Sequence, residues 1–139
     1  MVSYQGPLVP AVVKRFYDAY NNHEPRAAAA LYAPDGMHED CAVRAVASGI
    51  DEIAGALGHF LRSIPDARWD AEQVFTTETC TAVVYRLTGS LQEPLGGFPA
   101  KGQRIELSGV HLFDVKDETL MRSRDVWNVS QFVGQVSET

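Results

Sequence analysis

Apolar residues recur at helical spacing through the first half of the chain and at strand spacing through the second. The first stripe, over residues 9–20, predicts an amphipathic helix with one buried face, made of Val9, Val12, Val13, Phe16, Tyr17 and Tyr20. Pro25 suits the first turn of a helix, and the Ala-rich residues 26–32 predict a second, short helix. The sequence Pro34-Asp35-Gly36 is expected to end it.

An extended segment over residues 37–46 and a third helix follow. Ser48 opens the sequence S-G-I-D, which resembles a capping box with Asp51 as the partner. The apolar positions beyond it predict a helix that Pro65-Asp66 ends. The residues expected on the buried face of this helix are Ile50, Ile53, Leu57, Phe60, Leu61 and Ile64.

Alternating, β-branched and aromatic positions then predict four strands, over residues 68–76, 82–91, 103–115 and 120–128. The Pro/Gly-rich loop EPLGGFPAKG separates the second predicted strand from the third. A short helix is predicted over residues 130–136. Helices followed by a meander of antiparallel strands indicate an α+β layer arrangement, in a single domain over residues 1–139.

The inward face of the last two predicted strands carries a histidine and an aspartate. His111 shares its face with Ile105, Leu107, Gly109, Phe113 and Val115, and Asp125 shares its face with Met121, Ser123 and Trp127. A three-residue loop over residues 117–119 would pair His111 with Asp125, whereas a two-residue loop would pair His111 with Arg124. The buried-face pattern favours the first alternative. Two further sets are expected to share a face, Val83, Tyr85 and Leu87 in one strand and Trp69, Ala71 and Phe75 in another.

Composition narrows the classes of partner. The chain of 139 residues has a formal net charge of −6, which disfavours nucleic acid and anionic membrane surfaces. No apolar run approaches the ~20 residues that a membrane-spanning helix needs, and no signal peptide is apparent at the N-terminus. Cys41 and Cys80 form neither a CxxC motif nor a disulfide framework, so free thiols of a cytoplasmic protein are expected.

Other chemical motifs give weaker signals. Alternation puts His38 and Asp40 on one face, as in a metal site or a second acid/base pair, but no further His or Cys stands at ligand spacing. We therefore expect no metal, and a solvated cavity mouth with His38 as a substrate contact. Gly96-Gly97 lacks the context of a dinucleotide-binding loop, and the sequence has no G-x-S-x-G motif.

Four segments carry a resemblance to a known family: RFYDAYNNHEPRAAAALYAPD, SGIDEIAGALGHFLRSIPDARWDAEQVF, GGFPAKGQRIELSGVHLFDV and LMRSRDVWN. Over nearly its whole length the chain resembles the SnoaL-like polyketide cyclases of the nuclear transport factor 2-like superfamily. The resemblance implies a cone, in which a curved, mostly antiparallel sheet wraps against three N-terminal helices around an internal apolar cavity. It also implies cofactor-free closure of an aromatic polyketide ring by intramolecular aldol condensation, and a homodimer formed through the outer face of the sheet.

The resemblance assigns the catalytic acid/base to Asp125 and an assisting role, toward the base or the oxyanion, to His111. It places Tyr20 at a cavity position that the family varies. We expect an apolar cavity to raise the pKa of Asp125. Contacts to a small apolar or aromatic carbonyl substrate are expected from Tyr20, His38, Phe60, Trp69, Tyr85 and Trp127.

Alternatives remain at each level. Asp125 could be a structural acid paired with Arg122, Arg124 or the His111 ring, and His111 could be a core histidine with its hydrogen bonds satisfied. The same scaffold also carries a hydroxylase branch and non-catalytic ligand-binding modules, so fold alone does not assign the function.

Overall fold

The computed structural model describes residues 3–5 and 9–137 of the chain. Its helices are α1 (Ala11–Asn21), α2 (Pro25–Ala29), α3 (Ile50–Ser63) and α4 (Val129–Ser137). Its strands are β1 (Ser3–Gln5), β2 (Tyr32–Asp40), β3 (Ala45–Ser48), β4 (Arg68–Thr76), β5 (Cys80–Ser90), β6 (Arg104–Lys116) and β7 (Thr119–Trp127). No helix within these residues is long and apolar enough to cross a membrane.

The strands form one open, curved sheet in the order β1-β4-β5-β6-β7-β2-β3. Strands β4 to β7 are the predicted antiparallel meander, β2 joins β7 in parallel, and β3 folds back antiparallel on β2. The concave face packs against the helices because every second strand residue is apolar. Fully buried residues of this core include Val12, Phe16, Ile64, Val83, Ile105, Phe113 and Leu120. The predicted α+β cone is confirmed.

The segment between α2 and α3 differs from its prediction. The second helix ends at Ala29, and β2 continues through Pro34 to Gly36, where a break was expected. The pairing of β2 with β7 shifts register between Tyr32 and Met37. A Cβ on Gly36 would lie 2.9 Å from the Ala33 carbonyl oxygen, so the chain bulges where glycine leaves room. The extended segment expected over residues 37–46 is the hairpin of β2 and β3.

The capping prediction at α3 is also wrong. Gly49 is the N-cap, with a φ of 83°, and makes no side-chain cap. The Glu52 carboxylate, rather than that of Asp51, reaches back toward Ser48 and accepts a hydrogen bond from its backbone N–H at 3.0 Å. A glycine is needed at this position because a positive φ is unfavourable for residues that have a Cβ.

The β6–β7 hairpin confirms the predicted pairing through a different turn. Asp117 and Glu118, both with positive φ, form a two-residue turn instead of the expected three-residue loop. One extra residue in β7, Met121, then shifts the register, so His111 pairs with Asp125 rather than with Arg124. Because of this bulge, Leu120 is buried while Met121, predicted to point inward, is exposed.

A second register shift corrects β4. The pairing of β4 with β5 shifts between Ala71 and Gln73. Trp69 is buried as predicted, but beyond the shift Val74 and Thr76 take the inward positions and Phe75 is exposed. Strict alternation fails in both strands for the same reason, since each bulge moves the following side chains to the opposite face.

The outer face of the hairpin carries charge pairs. Asp114 lies 3.2 Å from Arg122 and 4.0 Å from Arg124, and Glu106 pairs with Arg86. Because Arg122 and Arg124 point away from the helices, neither is the partner of Asp125. This excludes two of the three structural pairings considered for that aspartate.

Candidate active site

A cavity of about 560 Å³ lies between the concave face of the sheet and the helices. Its wall includes apolar side chains from α3, the β2–β3 hairpin, β6, α4 and the loop after β5, among them Leu57, Val46, Leu107, Phe132 and Phe98. Seven predicted site residues line it, namely Tyr20, His38, Phe60, Trp69, Tyr85, Asp125 and Trp127. The eighth, His111, does not. Seven of the eight predicted site residues therefore lie in the wall of one cavity.

Both carboxylate oxygens of Asp125 have a defined neighbour. The Tyr85 hydroxyl donates to Oδ1 at 2.7 Å, and Nε2 of His111 lies 3.5 Å from Oδ2. The side chain of Asp125 is 17% exposed, at the cavity wall. The side chains of Tyr85, His111 and Asp125 thus lie side by side on the adjacent strands β5, β6 and β7.

His111 is completely buried behind Tyr85. The two rings stack with centroids 4.5 Å apart, which separates the imidazole from the cavity. On the far side of the imidazole, the Tyr17 hydroxyl lies 2.7 Å from Nδ1. If Tyr17 donates this hydrogen bond, Nδ1 of His111 is the acceptor, and Nε2 on the other side of the ring faces Asp125. The order Tyr17, His111, Asp125 is therefore a chain of polar groups that ends at the cavity.

The pKa of Asp125 is shifted in the opposite direction to the prediction. Burial raises the pKa of this carboxyl, but the His111 imidazole and the Tyr85 hydroxyl together outweigh burial and hold the pKa below its ordinary value. The expected rise followed from the apolar walls alone, whereas the structure adds the stabilising His111 and Tyr85 side chains. Asp125 is consequently a carboxylate at neutral pH.

His38 occupies the neighbouring strand. Its Nδ1 lies 2.6 Å from Ser123 Oγ, which is also hydrogen-bonded to the hydroxyl of Tyr32. Burial, followed by the proximity of His111, lowers the pKa of His38 to about 4. The imidazole is therefore neutral at physiological pH and lines the cavity as a polar, uncharged group.

Asp40 belongs to the cavity wall rather than to a fully solvated mouth. Its backbone pairs in register with Asp125 across β2 and β7, and both side chains line the cavity. Burial and the nearby charge of Asp125 raise the pKa of Asp40, although hydrogen bonds from Trp127, Val43 and Ala42 oppose this effect. Sequence reasoning missed this neighbour of Asp125 because no local pattern reports the parallel pairing of β2 with β7. Among the described residues, no group of three His, Cys, Asp or Glu could hold a metal ion.

Comparison with known proteins agrees with this architecture. The model of the family described as SnoaL-like polyketide cyclase matches residues 11–136. The chain belongs to the SnoaL-like polyketide cyclase family. No curated protein matches it significantly.

Solved structures with the same fold superpose closely on this chain. A candidate SnoaL-like polyketide cyclase from Jannaschia sp. CCS1 is 19% identical, with a TM-score of 0.84 over 93% of this chain and 91% of that one. A candidate polyketide cyclase from Xanthomonas campestris is 24% identical, with a TM-score of 0.77 over 91% and 94% of the two chains. AclR, a candidate hydroxylase from Streptomyces galilaeus, is 18% identical, with a TM-score of 0.80 over 93% and 95%. Such identities establish a shared fold and leave the reaction open.

Gly109→Ala is expected to disturb the Asp125 site from behind. A Cβ on Gly109 would lie 2.4 Å from the Tyr85 hydroxyl oxygen, and His111 stacks on the same ring, so the ring must move and lose its bond to Asp125. We expect a loss of about 1–3 kcal/mol in the free energy of unfolding, measured in urea. We also expect a rise in the pKa of Asp125, followed by carboxyl NMR, because one of the groups that lower it is displaced.

The matched control is Gly55→Ala. Nothing lies within 4 Å of a Cβ on this helical residue, so the same chemical change should stabilise the protein by about 0.5–1 kcal/mol. Unchanged stability and an unchanged Asp125 titration in Gly109→Ala would contradict the close approach of Tyr85.

Proposed function

We propose that this family member is a cofactor-free acid/base enzyme that closes a ring of an aromatic polyketide by intramolecular aldol addition, with Asp125 as the base. The observation that carries the proposal is the position of Asp125. A carboxylate that is ionised at neutral pH lies in the wall of a largely apolar cavity, with Tyr85 and His111 beside its two oxygens. Such a group is suited to remove a proton from an acidic carbon.

The reaction conserves protons and electrons. Asp125 takes a proton from the carbon between two substrate carbonyls, and the electron pair of the broken C–H bond becomes an enolate. The enolate carbon then attacks a second carbonyl carbon of the same molecule, which forms the C–C bond and an alkoxide. One proton is returned to the alkoxide oxygen to give the alcohol. Conjugation in the substrate stabilises the enolate, so the deprotonation needs neither an oxidant nor a Schiff base.

His111 serves as a positioning residue in this proposal. Because Tyr85 covers it, the imidazole does not reach the substrate or an oxyanion, so of the two assisting roles that the resemblance implied we propose the one toward the base. It acts on Asp125 from behind, together with Tyr17. Tyr85 holds the other oxygen of Asp125 and also lines the cavity.

The walls favour a flat, weakly polar substrate. Trp69, Phe60 and Tyr20 form a contiguous aromatic group, with centroids 4.8 Å apart for Tyr20–Trp69 and 5.7 Å apart for Phe60–Trp69. Aromatic surfaces of this kind bind planar rings through burial and offset or edge contacts. The neutral His38 adds a polar contact without a charge. We therefore propose an uncharged aromatic carbonyl compound as the substrate.

The wild-type protein is expected to catalyse hydrogen exchange in D₂O at the acidic carbon of an aromatic β-keto ester. The reason is that deprotonation by Asp125 precedes bond formation and is reversible. Mass spectrometry follows the exchange, and an oxygen electrode follows dioxygen under the same conditions. Exchange without dioxygen consumption supports the proposal. Substrate-dependent dioxygen uptake would favour a hydroxylase, and tight binding without either signal would favour a binding module.

A further inference from the structure

We infer that Asp40 is the acid of the same site: in its protonated form it donates to the electrophilic carbonyl oxygen and gives up its proton as the C–C bond forms. The inference rests on the function proposed above and assigns the second half of the reaction. It starts from the register of the sheet, in which Asp40 of β2 stands beside Asp125 of β7. Neighbouring strands lie about 4.8 Å apart, so two carboxyl groups face one cavity within the reach of a single small molecule.

The hydrogen bonds of Asp40 that the structure describes all go to one of its two carboxyl oxygens. Oδ1 accepts from the Trp127 indole at 2.9 Å and from the backbone N–H groups of Ala42 at 3.1 Å and Val43 at 3.4 Å. No described residue donates to Oδ2. A carboxyl group anchored through one oxygen can carry its proton on the other, in a fixed orientation. Trp127 also lines the cavity, so Asp40 and the indole that holds its Oδ1 lie in the same wall.

The two carboxyl groups divide the roles of acid and base. Paired carboxyl groups in a poorly hydrated site do not both ionise readily, and the less stabilised member keeps the proton. His111 and Tyr85 favour the charged form of Asp125, whereas burial and the charge of Asp125 raise the pKa of Asp40. Asp125, which its neighbours stabilise as a carboxylate, is therefore the base, and Asp40 is the member better suited to act as the acid.

The cycle balances. Asp125 takes the proton from carbon, and Asp40 gives its own proton to the carbonyl oxygen while the enolate carbon bonds to the carbonyl carbon. Asp125 is then protonated and Asp40 ionised, and transfer of one proton between them restores the starting state. No net proton is consumed, and no redox partner takes part.

Asp40→Asn tests the assignment with two probes. One is an aromatic β-keto ester without a second carbonyl, which reports only exchange in D₂O. The other carries a ketone placed for ring closure. We expect the variant to exchange within about threefold of wild type and to close the ring at least about 10²-fold more slowly, as for the loss of a general acid. The asparagine carbonyl oxygen can accept all three hydrogen bonds of Oδ1, so the fold should be retained.

Glu39→Gln is the matched control, because it makes the same kind of change one residue away. Glu39 pairs in register with Arg124, whose side chain lies on the outer face of the sheet. The Glu39→Gln variant should close the ring at the same rate as the wild type. Closure unaffected in Asp40→Asn, or exchange and closure reduced equally, would overturn the assignment to Asp40 while leaving the proposed function in place. Absence of exchange in wild type would overturn the proposed function and this assignment with it.

A titration tests the proton's location without any substrate. Asp40 interacts with Asp125 from β7, Tyr85 from β5, Tyr20 from α1 and the adjoining Cys41. Carboxyl NMR should show Asp40 titrating at a higher pH than Asp125. Asp125→Asn should lower the pKa of Asp40, because it removes the neighbouring charge. Titration of Asp125 above Asp40 would overturn the assignment.

Discussion

Asp125→Asn is expected to lower both hydrogen exchange and ring closure by about 10²–10⁴-fold, equivalent to roughly 3–5 kcal/mol of transition-state stabilisation. The amide has nearly the shape of the carboxylate, and its carbonyl oxygen can still accept the Tyr85 hydrogen bond. It cannot take up a proton from carbon at neutral pH. Substrate binding should therefore persist, and the loss should appear in turnover. Steady-state kinetics with a separate binding titration measure both quantities.

The control for this variant is Asp114→Asn in the same hairpin. Asp114 lies on the outer face with Arg122, and an exposed ion pair contributes little to stability. Its turnover should remain close to that of wild type. Activity retained within a few-fold in Asp125→Asn would remove Asp125 as the base. An equal loss in both variants would point to an indirect effect on the hairpin.

His38→Asn is expected to change how stability depends on pH. The pKa of His38 is about 4 in the folded protein and 6.5 for an ordinary histidine. As the pH falls from 7 to 4, the unfolded chain therefore gains a proton at this position before the folded chain does. The free energy of unfolding of the wild type consequently decreases, by about 3 kcal/mol at pH 4 from this residue. Above pH 7 the residue has no such effect.

The variant lacks this proton uptake and should become more stable relative to wild type as the pH falls. Its amide can reach the hydroxyl of Ser123 in place of Nδ1, which limits the packing change. Urea unfolding at pH 7, 6, 5 and 4 measures the difference. His59→Asn, at an exposed position of α3, serves as the control. Parallel stability curves for wild type and His38→Asn would contradict the buried neutral imidazole.

The local pattern of the sequence was sufficient for most of the elements. The stripe from Val12 to Tyr20 predicted the buried face of α1, and the strand predicted over residues 68–76 agrees with β4. The spacing of apolar residues reports burial directly, since a helix or strand presents every third to fourth or every second side chain to the core. The first half of β2 was missed because Gly36 allows a bulge where the sequence suggests a break.

The candidate site was predictable in part. His111 and Asp125 were correctly paired, although Met121 rather than a longer loop provides the register. The burial of His111 behind Tyr85 was not predictable, because it depends on how two rings stack between neighbouring strands. The raised pKa expected for Asp125 was wrong for a similar reason. Its hydroxyl and imidazole neighbours come from β5 and β6, and together they outweigh the effect of burial.

By itself, the sequence determined an α+β domain with an inward histidine and aspartate on its last hairpin, since periodicity encodes which side chains face the core. Only the tertiary structure decided which groups surround the aspartate. The parallel pairing of β2 with β7 brings Asp40 beside Asp125, 85 positions apart in the sequence. Bulges and ring stacking decide which side chain reaches the cavity. These contacts are long-range, so no local pattern contains them, and they shift the pKa of each carboxyl group.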